Sequence, residues 1–245
     1  MLRSPTWAQF WAVVRILTAV VGTAAVVAQL TRTIENAVAA SQPIGTVVAN
    51  FFSFFTIQSN VAAAATLTIG AILFWRQSRR TDAEPRWFAV LLACVTTYMV
   101  ITGIVYNLLL RGIQLPQGET VPWSNEVMHV AVPIVLLLDL FLAPRRRPLP
   151  WRAVWIIVIY PIVWVIYTLL RGPFVTSPGN GEPYWYPYPF LNPNNPGLEP
   201  AGYAGVAVYV VAIAAGIIAV GLLVVWVGRW RGVAARAEAS VSPRA

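Results

Sequence analysis

Six long apolar stretches constrain this sequence more than any other feature. They lie at about residues 9–30, 48–75, 87–110, 126–143, 153–170 and 203–228. Each is long enough to cross roughly 30 Å of hydrocarbon as a helix that rises about 1.5 Å per residue. We therefore predict an all-α fold, in which residues 1–245 form a single integral membrane domain built as a six-transmembrane-helix bundle.

The composition excludes a water-soluble protein, because only 11% of the residues are charged, whereas soluble chains carry about 25%. The net charge of +8 would suit a nucleic-acid partner, but the bases occur in short clusters between apolar stretches. We therefore expect the bilayer as partner and no nucleic acid. All bases are Arg, which excludes Schiff-base catalysis. A single imidazole, His129, excludes paired haem ligands and a clustered metal site, so we predict no cofactor and no metal.

The arginines also predict the orientation of the bundle. Arg-rich segments at 76–86, 145–152 and 229–245 alternate with connections that carry one Arg each. By the positive-inside rule, both termini and the basic tail 229–245 are cytoplasmic in a plasma membrane, and the other connections face outward. Exclusive use of Arg together with abundant Ala and Val is typical of a GC-rich bacterial genome.

The outward loop 171–202 is unusual in composition. It contains eight prolines and the aromatic run YWYPYPF. Because Pro lacks a backbone N–H and has a restricted φ, this loop is predicted to be extended and stiff, without regular helix or strand. Its aromatic side chains suit either a belt at the lipid headgroups or a lid over a substrate, and both interpretations stay open.

Polar residues inside the spans are candidate functional groups, since they are costly in hydrocarbon. Ser53, Thr56 and Asn60 share one face of a continuous second helix, where they would either form interhelical hydrogen bonds or line a site. His129, near the start of the fourth span, is either an interfacial residue or a general base. The two spans run in the same direction, and the depths of Thr56 and His129 allow contact. We predict a Thr56–His129 nucleophile and base pair, with Ser53 and Ser59 open as alternative hydroxyls.

Other side chains are candidates for supporting roles. Asn60 is the first choice for oxyanion stabilisation, and Ser53, Tyr106 and Asn107 are further polar candidates.

Five charged residues close to or inside the spans also require an interpretation. Arg32, Arg111 and Arg171 end three spans at the outer boundary, where they either anchor helices at lipid phosphates or together bind a substrate carboxylate. Deeper in the membrane, Arg15 and Asp139 are predicted to form a structural ion pair.

Several of these segments resemble the androgen-induced-gene family of six-pass membrane proteins and its bacterial relatives. The similarity covers about residues 50–192 and is carried by His129-V-A-V-Pro133 with Asp139 six residues on, by IYPIVWVIYTLLRG and by WYPYPFLN. Eukaryotic members are threonine hydrolases that cleave fatty-acid esters of hydroxy fatty acids. The resemblance implies that Thr56 is the nucleophile and His129 the catalytic histidine. The polar QSN after Thr56 and the lack of a second His near Glu126 depart from the eukaryotic pattern.

We therefore expect a threonine-type lipid-ester hydrolase, with an outward-opening amphiphilic cavity among spans two to five. Its substrate would be a lipid or fatty-acyl ester that enters from the outer leaflet. The alternative is a non-catalytic protein for lipid binding or small-solute transport, in which the polar face of span two lines a pathway. Loss of function in His129→Ala would separate hydrolysis from binding.

Overall fold

The chain folds as a bundle of helices. A computed structural model describes residues 4–76, 83–113 and 120–241, and within these residues it contains no strand. Six helical segments are long and apolar enough to cross a membrane: Pro5–Ala39, Phe55–Arg76, Arg86–Leu110, Pro122–Leu142, Ala153–Phe174 and Tyr203–Gly232. The prediction of an all-α, six-helix membrane bundle is confirmed.

Several spans consist of more than one helical element. Short π-helical turns at Tyr106–Leu110 and Val127–Ala131 interrupt two of them, and 3-10 turns occur at Gly172–Phe174 and Pro189–Leu191. The α-helices of the described residues are α1 Pro5–Ala39, α2 Ile44–Phe51, α3 Phe55–Arg76, α4 Arg86–Val105, α5 Pro122–Glu126, α6 Val132–Leu142, α7 Ala153–Arg171 and α8 Tyr203–Val241.

The first and last helices are longer than the apolar pattern predicts. Helix α1 begins after Ser4, whose side-chain oxygen accepts a hydrogen bond from the N–H of Trp7, and it continues past residue 30 to Ala39. Residues 31–42 contain no Pro or Gly, so the polar turn after residue 30 stays helical. Helix α8 runs through most of the predicted tail 229–245, of which residues 242–245 lie outside the described part.

Helix α4 is the centre of the bundle. It packs against α3, α6, α7 and α8. In the most apolar stretch of its span 72% of the residues are buried, against 28% in the corresponding stretches of the spans that contain α7 and α8. Leu17, Trp155, Leu170 and Val211 are instead more than half exposed on the outer faces of their helices. An apolar surface of this kind is stable against lipid chains but not against water, which agrees with a multi-pass membrane protein.

The two ends of the bundle differ in chemistry. At one end, the segments around Glu84, 143–152 and 229–232 are joined by hydrogen bonds such as Glu84 N–H to the carbonyl of Arg145. We name it the basic end. The opposite end, here named the loop end, carries residues 40–43, 111–113 and 172–202. The candidate site lies nearer the loop end.

Candidate functional site

The side chains of Thr56 and His129 meet inside the bundle. Thr56 Oγ1 lies 3.3 Å from His129 Nε2, and both residues are buried, each with 8% of its surface exposed. Thr56 belongs to the first turn of α3 and His129 to the π-helical turn before α6. The structure thus brings together the two residues that sequence reasoning selected, at hydrogen-bonding distance.

A break in the second span determines where Thr56 lies. The sequence predicted one helix over residues 48–75, but α2 ends at Phe51 and α3 begins at Phe55. The prediction that Ser53, Thr56 and Asn60 share one helical face is therefore wrong, because Ser53 lies in the break and its hydroxyl bonds to the carbonyl of Ala49 and to Tyr167.

Side chains from the same region satisfy the backbone of this break. Trp164 Nε1 donates to the carbonyl of Ser53 at 3.0 Å, and Gln58 Nε2 donates to the carbonyl of Phe52 at 2.6 Å. Unpaired backbone groups cost several kcal/mol in a bilayer, so these bonds make a non-helical segment tolerable there. The break also leaves the N–H of Thr56 in a first helical turn, free to bond outside its own helix.

Tyr188 takes up that free N–H. Its phenolic oxygen lies 3.2 Å from the backbone nitrogen of Thr56 and 3.2 Å from Thr56 Oγ1. Burial raises the pKa of Tyr188 above its ordinary value, so the phenol stays protonated and keeps an O–H to donate. Sequence reasoning had assigned the aromatic run around Tyr188 only to a belt or a lid and did not predict this contact.

Two hydrogen bonds and a ring contact orient His129. Nδ1 lies 2.9 Å from the carbonyl oxygen of Asn125, which can only accept, so Nδ1 carries the proton and Nε2 presents its lone pair to Thr56. The ring of Tyr106 stacks on the imidazole with centroids 3.9 Å apart, and Tyr106 also hydrogen-bonds to the Asn125 side chain. The tautomer and the ring plane both suit a general base.

Gly103 allows the fourth span to pack closely beside α4. A Cβ atom at this position would lie 3.1 Å from the carbonyl oxygen of His129 and 3.2 Å from the Pro133 ring. Pro133 has no N–H to donate to that carbonyl, and the π-helical turn lies immediately before it in the chain. Turns of this type recur at functional sites, since they re-aim one side chain without ending the helix.

An apolar cavity of about 240 Å³ adjoins Thr56. Its walls come from α3, α4, α7, α8 and the loop-end segment, and they include Thr56, Tyr106 and Tyr188 but not His129. The sequence predicted an amphiphilic cavity among spans two to five. The observed cavity is almost wholly apolar and uses span six, because α8 packs beside α4 and α7. A slot of this chemistry suits an acyl chain.

The predicted supporting amides are used elsewhere. Asn60 Nδ2 donates to the carbonyls of Thr56 and Met128, at 2.9 and 3.3 Å, so it ties α3 to the fourth span and is not a free oxyanion donor. Asn107 is exposed and bonds to the Gly103 carbonyl and to Arg111, away from Thr56. The alternative hydroxyl Ser59 bonds to Thr102 and the Thr56 carbonyl.

The three arginines at the loop end have separate partners. Arg111 forms an exposed pair with Glu126 at 2.8 Å, and its ordinarily high pKa is raised further by that hydrogen bond. Arg32 lies 3.8 Å from Glu35 on its own helix. Arg171 donates to Asn50 Oδ1 at 2.7 Å and stacks over Trp185. These contacts do not bring the three guanidinium groups together, and their convergence on one carboxylate stays a prediction.

A buried charge cluster lies toward the basic end. Arg15 Nε donates to Asp139 at 2.7 Å, so the predicted ion pair is present. Glu84 and Arg146 complete it, since Glu84 accepts from Arg15 at 3.1 Å and Arg146 donates to Asp139 at 2.7 Å. These contacts join helix α1 to helix α6 and to the segment that precedes α4. The cluster therefore has a structural role. Across the described residues, no three His, Cys, Asp or Glu side chains form a metal-ligand group.

Comparisons with known protein families, with curated proteins and with solved structures found no match to this chain. The resemblance to the androgen-induced-gene family, which depends on the residues alone, therefore stays a prediction. Any function has to be inferred from the geometry around Thr56 and His129.

Proposed function

We propose that this chain is an integral membrane hydrolase of lipid esters, with Thr56 as nucleophile and His129 as general base. The observation that carries the proposal is the buried contact of 3.3 Å between Thr56 Oγ1 and His129 Nε2 at the wall of an apolar cavity. A hydroxyl becomes a good nucleophile only when a positioned base removes its proton. The resemblance to threonine hydrolases of the androgen-induced-gene family points to the same pair of residues.

The orientation belongs to the proposal as well. With both termini cytoplasmic in a plasma membrane, as the arginine distribution favours, the loop end and Thr56 lie toward the outer leaflet. Ile162 on α7 and Ile218 on α8 line the cavity and are 51% and 38% exposed, so the cavity wall is continuous with the lipid-facing surface. A lipid would enter sideways between these helices, acyl chain first.

The reaction would proceed through an acyl-threonine. His129 Nε2 takes the proton of Thr56 Oγ1 as this oxygen bonds to the ester carbonyl carbon. The ester C–O bond then breaks, and the leaving alcohol oxygen takes the proton back from Nε2. A water molecule, deprotonated by the same nitrogen, attacks the acyl carbon, which releases the carboxylic acid and restores the Thr56 hydroxyl.

Tyr188 is the best-placed donor for the oxyanion of the tetrahedral intermediate. Its hydroxyl already touches Thr56 Oγ1 at 3.2 Å, and its raised pKa keeps the proton available. Preorganised donors of this kind lower the barrier because they need no reorganisation as charge develops. Tyr188 thereby takes the role that the sequence had suggested for Asn60.

A non-catalytic lipid-binding protein is the second candidate, and the apolar cavity itself favours it. The break at Phe52–Phe54 adds support for a transport pathway, since discontinuous helices are common in transporters. In both cases the lipid would still bind after the imidazole is removed, whereas hydrolysis would be lost.

The decisive experiment compares wild type with Thr56→Ala on a panel of lipid esters in detergent or nanodiscs. We expect ester hydrolysis and labelling by a fluorophosphonate in wild type, and loss of both by roughly 10⁴-fold in Thr56→Ala. Thr68→Ala is the matched control, because Thr68 lies on the same helix and bonds only to the carbonyl of Ala64. Labelling that persists in Thr56→Ala and disappears in Ser53→Ala or Ser59→Ala would assign the nucleophile to that serine.

A further inference from the structure

A second cavity lies above Thr56 at the loop end. It measures about 730 Å³, and its lining falls wholly within residues 177–196 of the Pro-rich loop. We name this cavity the vestibule. It shares one residue, Tyr188, with the apolar cavity below. Tyr188 thus belongs to the walls of both cavities, and its hydroxyl contacts the proposed nucleophile Thr56.

The chemistry of the vestibule is the opposite of that of the apolar cavity. Its lining combines tyrosine and tryptophan rings with asparagine amides and one carboxylate, that of Glu182. Three Asn oxygens shape the loop: that of Asn180 accepts from the N–H of Glu182, that of Asn192 accepts from Asn194, and that of Asn195 accepts from the N–H of Gly197. The Asn180 NH₂, the Asn194 side-chain oxygen and the Glu182 carboxylate make no further side-chain bond among the described residues, and the three residues are exposed and line the vestibule.

The charge balance of the vestibule argues against an anionic ligand. Glu182 is the only charged residue in its lining. The Arg171 guanidinium stacks over Trp185 of this lining, but it lines a neighbouring cavity itself and donates to Asn50. A carboxylate or phosphate in the vestibule would therefore meet a like charge and no cation in the lining. Amide donors and acceptors beside aromatic faces instead match hydroxyl groups on a compact carbon framework.

The position of the vestibule defines which part of a substrate it would hold. On α7 the lining of the apolar cavity runs from Trp155 to Val165, which corresponds to about 15 Å along the helix. With the acyl chain in this slot and the ester carbonyl at Thr56, the alcohol portion of the ester extends past Tyr188. That portion is the leaving group of the proposed reaction.

We infer that the vestibule binds an uncharged headgroup with several hydroxyls, so that the substrate is an acyl ester of a polyol such as glycerol or a sugar. This inference rests on the proposed hydrolysis for the placing of the ester, but the headgroup preference can be measured without turnover. It differs from the substrate that the family resemblance implies, a fatty-acid ester that carries a free carboxylate.

The test uses non-hydrolysable amphiphiles with one alkyl chain length and four headgroups, bound to the full chain in nanodiscs. Alkyl glucoside and 1-O-alkylglycerol carry the predicted polyol and distinguish a sugar from glycerol as its source. A fatty acid supplies an anion, and an alkyl phosphocholine supplies a zwitterion. We expect at least one polyol to bind roughly fivefold tighter than the last two, as one extra neutral hydrogen bond would produce.

Vestibule variants make the measurement specific. Asn194→Ala should weaken polyol binding by roughly fivefold. Glu182→Gln should do the same and also strengthen fatty-acid binding, because it removes the like charge. Glu199→Gln is the matched control: Glu199 is exposed on the same loop, lines neither cavity and should change no affinity.

The outcomes separate this inference from the proposed hydrolysis. Fatty acid or phosphocholine binding as tightly as the polyols, or polyol affinities unchanged in Asn194→Ala and Glu182→Gln, would overturn the headgroup assignment even if simple esters are cleaved. Polyol binding that depends on both residues would support it even if no ester is hydrolysed. In a parallel assay of matched acyl esters, wild type should cleave the polyol ester with a lower KM than the ester that bears a carboxylate.

Discussion

Thr56 Oγ1 and His129 Nε2 lie 3.3 Å apart although 73 positions separate the two residues in the chain. The contact joins the first turn of α3 to the π-helical turn before α6, and both partners are buried. Buried polar pairs between helices often serve only as interhelical hydrogen bonds. The adjoining cavity and the third partner, Tyr188, favour a catalytic role.

His129→Ala should separate the two candidate functions. We expect the rate of ester hydrolysis to fall by roughly 10²–10⁴-fold, because no other described side chain contacts Thr56 Oγ1 as a base. Binding of a non-hydrolysable alkyl ether in the apolar cavity should change little. Parallel kinetic and binding measurements on the purified variant check this, and hydrolysis at the wild-type rate would favour the non-catalytic interpretation.

Tyr188→Phe should lower kcat by about 10²-fold, within the usual effect of losing one oxyanion donor. KM should change much less, because the ring and its contacts with Phe54 and Phe190 are kept. Tyr209→Phe is the matched control, since Tyr209 also stacks on Phe190 but does not reach Thr56. Steady-state kinetics on both variants would reveal equal effects if the Tyr188 hydroxyl had only a structural role.

Ionisation of the Tyr188 phenol should also lower the stability of the folded protein at high pH. Burial raises the pKa of its phenol above the ordinary value, which is about 10 in an unfolded chain. A raised folded-state pKa adds stability that is complete below about pH 10 and is lost as the pH rises toward the folded pKa. We expect the unfolding temperature to fall less steeply above this pH in Tyr188→Phe. Identical slopes for both proteins above about pH 10 would contradict the assignment.

Filling the apolar cavity should change chain-length selectivity. Ala214 on α8 lines the cavity, and a Trp at this position would occupy part of its length. We expect Ala214→Trp to lower kcat/KM for long acyl esters far more than for short ones. Ala215→Trp is the control, because Ala215 is also exposed on the same helix but does not line the cavity. A similar loss for all chain lengths would mean that the acyl group binds elsewhere.

Asp139→Asn should destabilise the fold without removing the nucleophile. Asp139 is fully buried and bonds to both Arg15 and Arg146, so its loss leaves two guanidinium groups undercompensated. Breaking a buried pair in this way costs about 3–5 kcal/mol. Thermal unfolding in detergent should show this loss, whereas fluorophosphonate labelling of the folded fraction should persist. Glu126→Gln, which breaks an exposed pair, should leave the unfolding temperature unchanged.

The apolar pattern was sufficient to predict the six spans, because crossing a bilayer requires about 20 apolar residues in a helix whatever the neighbouring helices do. It was not sufficient for the break between Phe51 and Phe55. That segment contains no Pro or Gly, and its residue types, Phe and Ser, also occur within helices elsewhere in the chain. The bonds that stabilise the break come from Trp164 and Gln58, one of them from a different span.

The candidate site, too, could be predicted from the sequence only in part. Elimination within the sequence selected Thr56 and His129, because a single imidazole leaves one choice of base and span depth limits the hydroxyls that can face it. Residue type also predicted the pair of Arg15 and Asp139, since two opposite charges lower the free-energy cost of burying each other in the membrane. The residue type of the three loop-end arginines was equally suggestive, but the structure gives each of them a different partner, so their convergence stays a prediction.

Tertiary structure alone decided how these groups are used. Tyr188 contacts Thr56 although 132 positions separate them in the chain. Asn60 is not free to act as the oxyanion donor, because its amide N–H groups donate to the carbonyls of Thr56 and Met128. The number of spans follows from how long and apolar each segment is, because a segment that crosses the bilayer must suit hydrocarbon. This is a property of each segment by itself. Which hydroxyl donates to which carbonyl follows from how the segments pack, and that information is held by no single stretch of the sequence.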